Sequence, residues 1–396
     1  MEPIMLKSVY KEILSWKSKG CYPYLPVAES YVDNFINFEN HEAALMFGSC
    51  DYLGLAKNDY IIEQSIKAIR EFGTNTYGGQ MFCGYTTYHH KLEKGLAEVF
   101  KRKEGEAILF PSGTHANIGV ISSIMGARDL IINDRLNHSS IFIGSKLSDA
   151  EKTYYDHNNM EKLEEILKTS QNYNRKLIVV DGLFSADGDF ARLEDICYLA
   201  DKYDAMVMVD EAHSFGTCGD NGGGLSEIAN VLERVDIYVG TMSKALGSIG
   251  GFVVADRSII DILRHFCSHY TSSRGSAPGV AAASVAALEV LKNEGVNLRT
   301  SLKKNTEYMH SILKEYCFNT GNSESHIIPI IIGSNELTVE VTNWLMNNGL
   351  FVSAMIMPTV PLGKSRLRIG VSAKHTLSEC SKAMDILIEA RRKYGF

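Results

Sequence analysis

The sequence predicts an α/β protein, with a mostly parallel sheet covered by helices on both faces and a smaller C-terminal α/β domain. Three observations predict it. Between about Ala107 and Val254, short apolar runs (AILF, DLII, KLIVVDG, AMVMVDEAH, DIYVGTMSK and GGFVVA) alternate with helix-like stretches. Runs rich in Val and Ile and bounded by Gly, Ser and Asp suit buried parallel strands joined by crossover helices. Residues able to do chemistry follow several of these runs at once. Finally, 396 residues exceed what one core usually holds, about 250 to 300, so a second domain is expected.

The opening stretch MEPIMLKSVYKEILSWKSKG spaces Ile, Leu and Trp at helical intervals among lysines. It predicts an amphipathic helix rather than a signal peptide, within an N-terminal segment spanning 1–50. The large domain is expected over 51–285. Within it, EFGTNTYGGQMFCGYTTYHHKLE is a glycine-rich connection into a helix beginning near His89. After Pro278, GVAAASVAALEVLK predicts a long helix whose alanines permit close approach of another element. HIIPIIIG, GLFVSAMI and SRLRIGVSA predict strands of the C-terminal domain, 286–396.

The 40 basic and 47 acidic side chains leave a net charge of −7, which argues against a general nucleic-acid binder. The tight basic cluster Lys101-Arg102-Lys103 is followed by Glu104 and Glu106 and reads as a solvated helix end. Eight scattered cysteines include no C-x-x-C pair, a pattern of reduced thiols in a cytosol rather than a disulfide framework or a zinc site. No apolar run approaches the roughly 20 residues that span a bilayer, and a cytoplasmic location is expected.

In open α/β sheets, ligands bind beyond the carboxyl ends of the strands. After AMVMV comes Asp210-Glu211-Ala212-His213. Taken singly, the aspartate reads as a helix cap or loop contact and the histidine as structural. After DIYVG comes Thr241-Met242-Ser243-Lys244; a lysine there can be an ordinary surface residue, and S-x-K also occurs in unrelated hydrolases. The order and spacing of the two segments change this balance. An aldehyde cofactor such as pyridoxal 5'-phosphate (PLP) needs an amine held in place and a carboxylate that keeps its pyridine nitrogen protonated, and Lys244 and Asp210 supply that pair. After KLIVV, the stretch Asp181 to Gly188 contains Ser185, which either donates near a cofactor oxygen or completes a plain turn. Gly113 and Thr114, after Ser112, open an apparent helix whose N-terminus suits a phosphate, although a simple Ser cap looks alike. His138, in Asn137-His138-Ser139-Ser140, either stacks on a flat heterocycle or is a hydrogen-bonded loop histidine.

DYLGLA, PSGTHAN, DGLFSADGD, DEAHSFGTCG, TMSKALG and PTVPLGKSRLRIGVSAKHT occur here in order. Together they resemble the α-oxoamine synthase family of fold-type-I PLP enzymes. The resemblance implies a PLP-dependent C-acyltransferase with Lys244 as the Schiff-base residue, Asp210 as the pyridinium partner and His138 stacked on the ring. It places Ser185 and His213 near the phenolic oxygen, with Gly113, Thr114 and Thr241 on the phosphate. Ser272 or Ser273 would come from a second subunit, because family sites form at a homodimer interface. Arg368 matches the arginine that binds the substrate carboxylate, a task suited to its planar fork, with Arg366 as its decoy. Departures from the family pattern are Cys50 where an Asn near the amino acid is usual, Gln80 for an arginine, Thr114 for an aromatic residue, and Gly222-Gly223-Gly224 for G-R-G. The implied reaction is decarboxylative condensation of a small α-amino acid with an acyl thioester, carried on coenzyme A or an acyl carrier protein. Lys244 would be the base and His138 would polarise the acyl oxygen. Alternatives are amino transfer or another PLP reaction on the same scaffold, or a noncatalytic subunit of a heterodimeric synthase, against which the retained Lys244 and Asp210 count.

Overall fold

A computed structural model describes residues 4–18, 22–39 and 41–396. Its chain forms two units, one of 1–50, 186–188 and 301–396, the other of 51–185 and 189–300. In the first, the amphipathic pattern becomes α1 (Ile4–Ser18), whose Trp16 packs with Val339 and Ile356. A meander not foreseen from sequence follows: β1 (Ala28–Val32), β2 (Phe35–Phe38) and β3 (His41–Met46) pair antiparallel. The expected strand HIIPIIIG is β11 (Ile327–Gly333), which pairs antiparallel with β14 (Ser365–Gly370). Pro329 is tolerated because β11 lies at the edge of its sheet. GLFVSAMI does not form one strand. It divides at Val352 into β12 (Leu350–Phe351), parallel to β3, and β13 (Ser353–Met355), antiparallel to β14. Helices α12 (Asn335–Asn347) and α13 (Leu377–Tyr394) complete this unit. A reciprocal Thr376–Glu379 cap starts α13.

The larger unit is built on seven strands in the order β4-β10-β9-β8-β7-β5-β6. They are β4 (Ala107–Phe110), β5 (Leu130–Asp134), β6 (Glu151–Tyr155), β7 (Lys176–Asp181), β8 (Met206–Asp210), β9 (Ile237–Thr241) and β10 (Gly251–Ala255). Strands β5 to β9 are mutually parallel, whereas β10 runs antiparallel to both β9 and β4. The parallel run expected at GGFVVA is therefore corrected. Only residues 242–250 join β9 to β10, fewer than the dozen or more that a parallel crossover needs. Two successive reversals leave β4 pointing the same way as β9, so β4, β5, β7, β8 and β9 present their carboxyl ends at one edge.

Helices α2 (Asp59–Phe72), α3 (Thr87–Val99), α4 (Gly113–Ile124), α5 (Ser139–Leu147), α6 (Met160–Thr169) and α7 (Leu193–Tyr203) belong to this unit. So do the short α8 (Leu225–Ile228), α9 (Arg257–Phe266) and α10 (Ser268–Thr271). On one face of the sheet Val120, Ile121 and Ile124 of α4 share a core with Ile131, Val179, Met208 and Val239, all strand residues that are fully or nearly fully buried. The long helix expected after Pro278 is α11 (Pro278–Glu315), and the two units divide within it, at Thr300. Among the described residues no helix is long and apolar enough to cross a membrane. The seven described cysteines other than Cys21 are unbridged, and Cys21 lies outside the described residues.

Candidate active site

Parallel strands buried on both faces end in polar groups that have no water to meet, so each needs a partner from another segment. Strands β7 and β8 end in register at Asp181 and Asp210. One oxygen of the Asp210 carboxylate accepts from Asn117 Nδ2 at 2.6 Å and the other from the Ala212 N–H at 2.9 Å. Asn117, on the inner face of α4, also donates to Ser140 Oγ at 3.0 Å. Asp181 accepts from the backbone N–H of His138 at 3.1 Å. Burial, with the Asp210 carboxylate alongside, pushes Asp181 well above the ordinary carboxylate range.

His138 is the cap of α5: its Nδ1 accepts from the Ser140 N–H at 3.3 Å and lies 2.6 Å from Ser140 Oγ. Burial lowers its pKa, the Asp210 charge partly restores it, and the Lys244 charge lowers it again. The imidazole is therefore neutral near pH 7, with Nδ1 as acceptor and its remaining proton on Nε2. Half-buried Lys244 acts on Asp181 too, opposing its upward shift. Lys244, Asp210, Asp181 and His138 thus form one electrostatic cluster at the strand tips. The lysine's turn closes through a Gly247 N–H to Lys244 C=O bond of 2.9 Å. At Gly247, with φ of 59°, a Cβ would lie 2.4 Å from the Ala56 nitrogen, so this turn requires glycine.

Ser112 caps α4 by accepting from the His115 N–H at 3.3 Å. The backbone here is tightly seated: a Cβ on Gly251 would meet the Ser112 oxygen at 2.2 Å, and one on Gly113 would meet Thr241 Cβ at 3.3 Å. Exposed Thr114 follows Gly113 in the first turn. Thr241 Oγ1 donates to the Gly250 carbonyl and lies within hydrogen-bonding distance of Ser243 Oγ, each at 2.7 Å. Half-buried Ser185 lies in the turn after β7, bracketed by a bridge between Leu183 and Phe190. His213 is buried and its Nδ1 is 2.8 Å from the Tyr52 hydroxyl. The predicted cofactor residues Gly113, Thr114, His138, Ser185, Asp210, His213, Thr241 and Lys244 all belong to the larger unit. Ser272 and Ser273 belong to it as well, at the end of α10, exposed and half-buried respectively.

The other two predicted residues meet in the first unit, where Arg368 Nη1 lies 3.7 Å from Cys50 Sγ. The two arginines of β14 differ in their bonds. Arg366 donates to Asp187 at 2.7 Å and to the Ala186 carbonyl at 3.0 Å, so it anchors 186–188. Gln80 donates to the Leu109 carbonyl at 3.3 Å. Asn117 and Tyr52, within PSGTHAN and DYLGLA, are contributors to the site that the sequence pattern alone does not reveal. Their signal is that buried Asp210 and His213 each required a partner.

This arrangement fits PLP. An amine, a carboxylate fixed by two donors, a neutral imidazole and a capped helix N-terminus match an aldehyde, a pyridine nitrogen, a flat ring and a phosphate. Asn117 Oδ1 and Asp181 Oδ1 are also buried without a hydrogen-bond partner among the described residues.

Residues 44–387 match the family model described as aminotransferase class I and II. The chain is 39% identical over 382 residues to 8-amino-7-oxononanoate synthase of Bacillus pumilus, covering 96% of each protein. It is 37% identical over 372 residues to serine palmitoyltransferase of Sphingobacterium spiritivorum, covering 94% of this chain and 92% of that one. Among solved structures it superposes with a TM-score of 0.94 on serine palmitoyltransferase from S. paucimobilis with a bound PLP–myriocin aldimine, at 28% identity and full coverage of both chains. The Sphingomonas wittichii serine palmitoyltransferase gives the same TM-score of 0.94 at 29% identity, covering 99% of this chain and 98% of that one. The strand-tip cluster thus lies in a fold shared with PLP proteins, and the chain belongs to the aminotransferase class I and II family, as an α-oxoamine synthase.

Proposed function

We propose that this enzyme condenses a small α-amino acid with an acyl-CoA or another acyl thioester, with loss of CO2, and that Lys244, Asp210 and His138 carry the chemistry. Bound PLP supplies an electron sink through its protonated ring. Asp210, held by Asn117 and the Ala212 N–H, keeps the ring nitrogen charged. Lys244 would hold the cofactor's aldehyde and would take the α-proton of the amino acid on its ε-amine. The α-carbon then bonds to the thioester carbonyl, the C–S bond breaks with release of the thiol, and the bond to the carboxylate breaks with release of CO2. A proton returned to the α-carbon completes the α-amino ketone. His138 stays neutral, so its Nε2–H can donate to the acyl oxygen as charge develops there.

The first turn of α4, with Gly113 and Thr114, and the Thr241 hydroxyl suit the phosphate, while Ser185 and His213 serve the phenolic oxygen. Arg368 takes the substrate carboxylate and Cys50 lines the amino-acid side. A homodimer in which the partner's chain supplies Ser272 or Ser273 to the phosphate, working in the cytoplasm, completes the proposal.

The observation that carries this reading is the fixed Asp210 carboxylate in one electrostatic cluster with Lys244 and neutral His138. The test incubates purified protein and PLP with glycine, alanine, serine or acidic amino acids and acyl-CoAs of graded length, following free CoA and CO2. Equimolar thiol and CO2 are expected from at least one pair. Thiol without CO2, or keto-acid-dependent amino exchange without thiol, would overturn the reaction, and a borohydride-fixed adduct on any residue but Lys244 would overturn the assignment.

A further inference from the structure

Outside the residues given a role above, one buried ionic group touches two of the turns that carry them. His157, after β6, places Nδ1 3.0 Å from Asp134 and Nε2 2.7 Å from Asp189. Both carboxylates are almost fully buried, and the imidazole is 21% exposed. Asp134 ends β5 and organises the turn leading to His138: it accepts from the Leu136 N–H at 2.9 Å and the Asn158 N–H at 3.0 Å. The Asn137 N–H reaches its carbonyl at 3.3 Å. Asp189 closes the turn that carries Ser185, its carbonyl accepting from the Phe184 N–H at 3.0 Å. The Phe184 ring meets the His157 ring edge to face, with centroids 4.4 Å apart. Asn158 adds a bond from Nδ2 to the Phe190 carbonyl at 2.9 Å.

We propose that His157 is a positioning residue, an ionic staple that sets the His138 turn and the Ser185 turn relative to one another and so places both side chains on the cofactor. It acts through Asp134 on one side and through Asp189 and Phe184 on the other, without itself reaching the ring. Burial opposes its charge, but the bonds to the two carboxylates prevail and raise its pKa to about 10, so the staple is closed throughout the neutral range. The inference rests on the roles proposed for His138 and Ser185.

The test compares holoenzyme carrying His157→Gln with Ser185→Ala, His138→Phe and the two double variants, reading the absorbance spectrum of the bound cofactor and its pH midpoint alongside kcat. Asp189→Asn, which keeps the shape and removes one charge, serves if His157→Gln does not fold. The staple predicts that His157→Gln and Asp189→Asn each move the spectrum and lower kcat by on the order of tenfold, a size usual for residues coupled in one network. It also predicts that the effect of His157→Gln shrinks to less than about twofold once Ser185 or His138 is already replaced. Full additivity in both backgrounds, or a stability loss with an unmoved spectrum, would overturn the staple. A silent Ser185→Ala would instead overturn the assignment of Ser185 and leave the staple to be judged on the His138 arm.

Discussion

Asn117→Ala removes a single amide from a buried site and should be felt at the cofactor. Asn117 is 1% exposed and spends one amide hydrogen on Asp210 at 2.6 Å and the other on Ser140 at 3.0 Å. A hydrogen bond to a charged group contributes about 1.5–3 kcal/mol, and about 1.36 kcal/mol is a factor of ten. Losing the Asp210 bond should therefore cost roughly ten- to 150-fold, divided between PLP affinity and kcat. Titrating apoprotein with PLP gives the first share and thiol release at saturating PLP gives the second. Asn117→Asp sharpens the test, because a carboxyl can donate to Asp210 only when protonated. Its PLP affinity should fall as pH rises through the new group's pKa, a slope that asparagine lacks. Cofactor affinity and kcat within twofold of the parent in Asn117→Ala, or a pH-independent Asn117→Asp, would refute the view that Asn117 holds Asp210 in its working state.

Three further predictions concern the first unit. Arg368→Ala should raise the KM for the amino acid roughly ten- to hundredfold, the worth of a charge-assisted pair, and leave the Kd of PLP unchanged; equal losses in both would remove its carboxylate role. Arg366→Ala should instead lower thermal stability, through the lost bonds to Asp187 and the Ala186 carbonyl, with substrate KM unmoved. His375 gives the pH dependence. Its Nδ1 accepts from the Ser372 N–H at 3.1 Å, its Nε2 is 2.9 Å from the Met46 carbonyl, and burial lowers its pKa to about 4. Between pH 4 and 6.5 the unfolded chain binds this proton and the folded chain does not. The stabilisation is thus complete above 6.5 and is lost as pH falls towards 4, on the order of 3 kcal/mol in all. Urea melts of the apoprotein across that range should show the slope, and His375→Gln should flatten it; an unchanged slope would exclude His375 as its source.

The large sheet was legible where its strands are buried on both faces. KLIVV, AMVMV and DIYVG lie in the core apart from half-buried Ala205, Met206 and Asp236, so burial on both faces gives nearly unbroken apolar runs. Strand β6 escaped notice because EKTYY at the sheet edge leaves only Tyr155 buried. The β1–β3 meander was hidden for the same reason, since every residue of β1 is exposed. Strand direction was a separate matter: GGFVVA reads like its neighbours, and only the short link from β9 turns it antiparallel. GLFVSAMI shows the limit of local pattern, because one apolar run pairs first with β3 and then with β14.

Of the residues proposed for the cofactor, Gly113, Thr114, His138, Ser185, Asp210, His213, Thr241 and Lys244 lie at or soon after strand ends, where α/β topology says to look. Those that sequence overlooked reach the edge from elsewhere. Asn117 is separated from Asp210 by 93 positions and lies in a helix interior, where an asparagine carries no local signal of its own. His157 follows the strand that was not recognised and meets Asp189 across 32 positions. Neighbouring strands β5, β7 and β8 end in Asp134, Asp181 and Asp210, three carboxylates in a row on a buried edge. Like charges so close cannot all stay ionised and unpartnered. The protein resolves the row differently at each member. Asp134 gains an imidazolium, Asp181 is driven towards its neutral form, and Asp210 is held by an amide and a backbone N–H. The last of these solutions holds the carboxylate by neutral donors, which suits the proposed role of Asp210 facing a positively charged ring nitrogen.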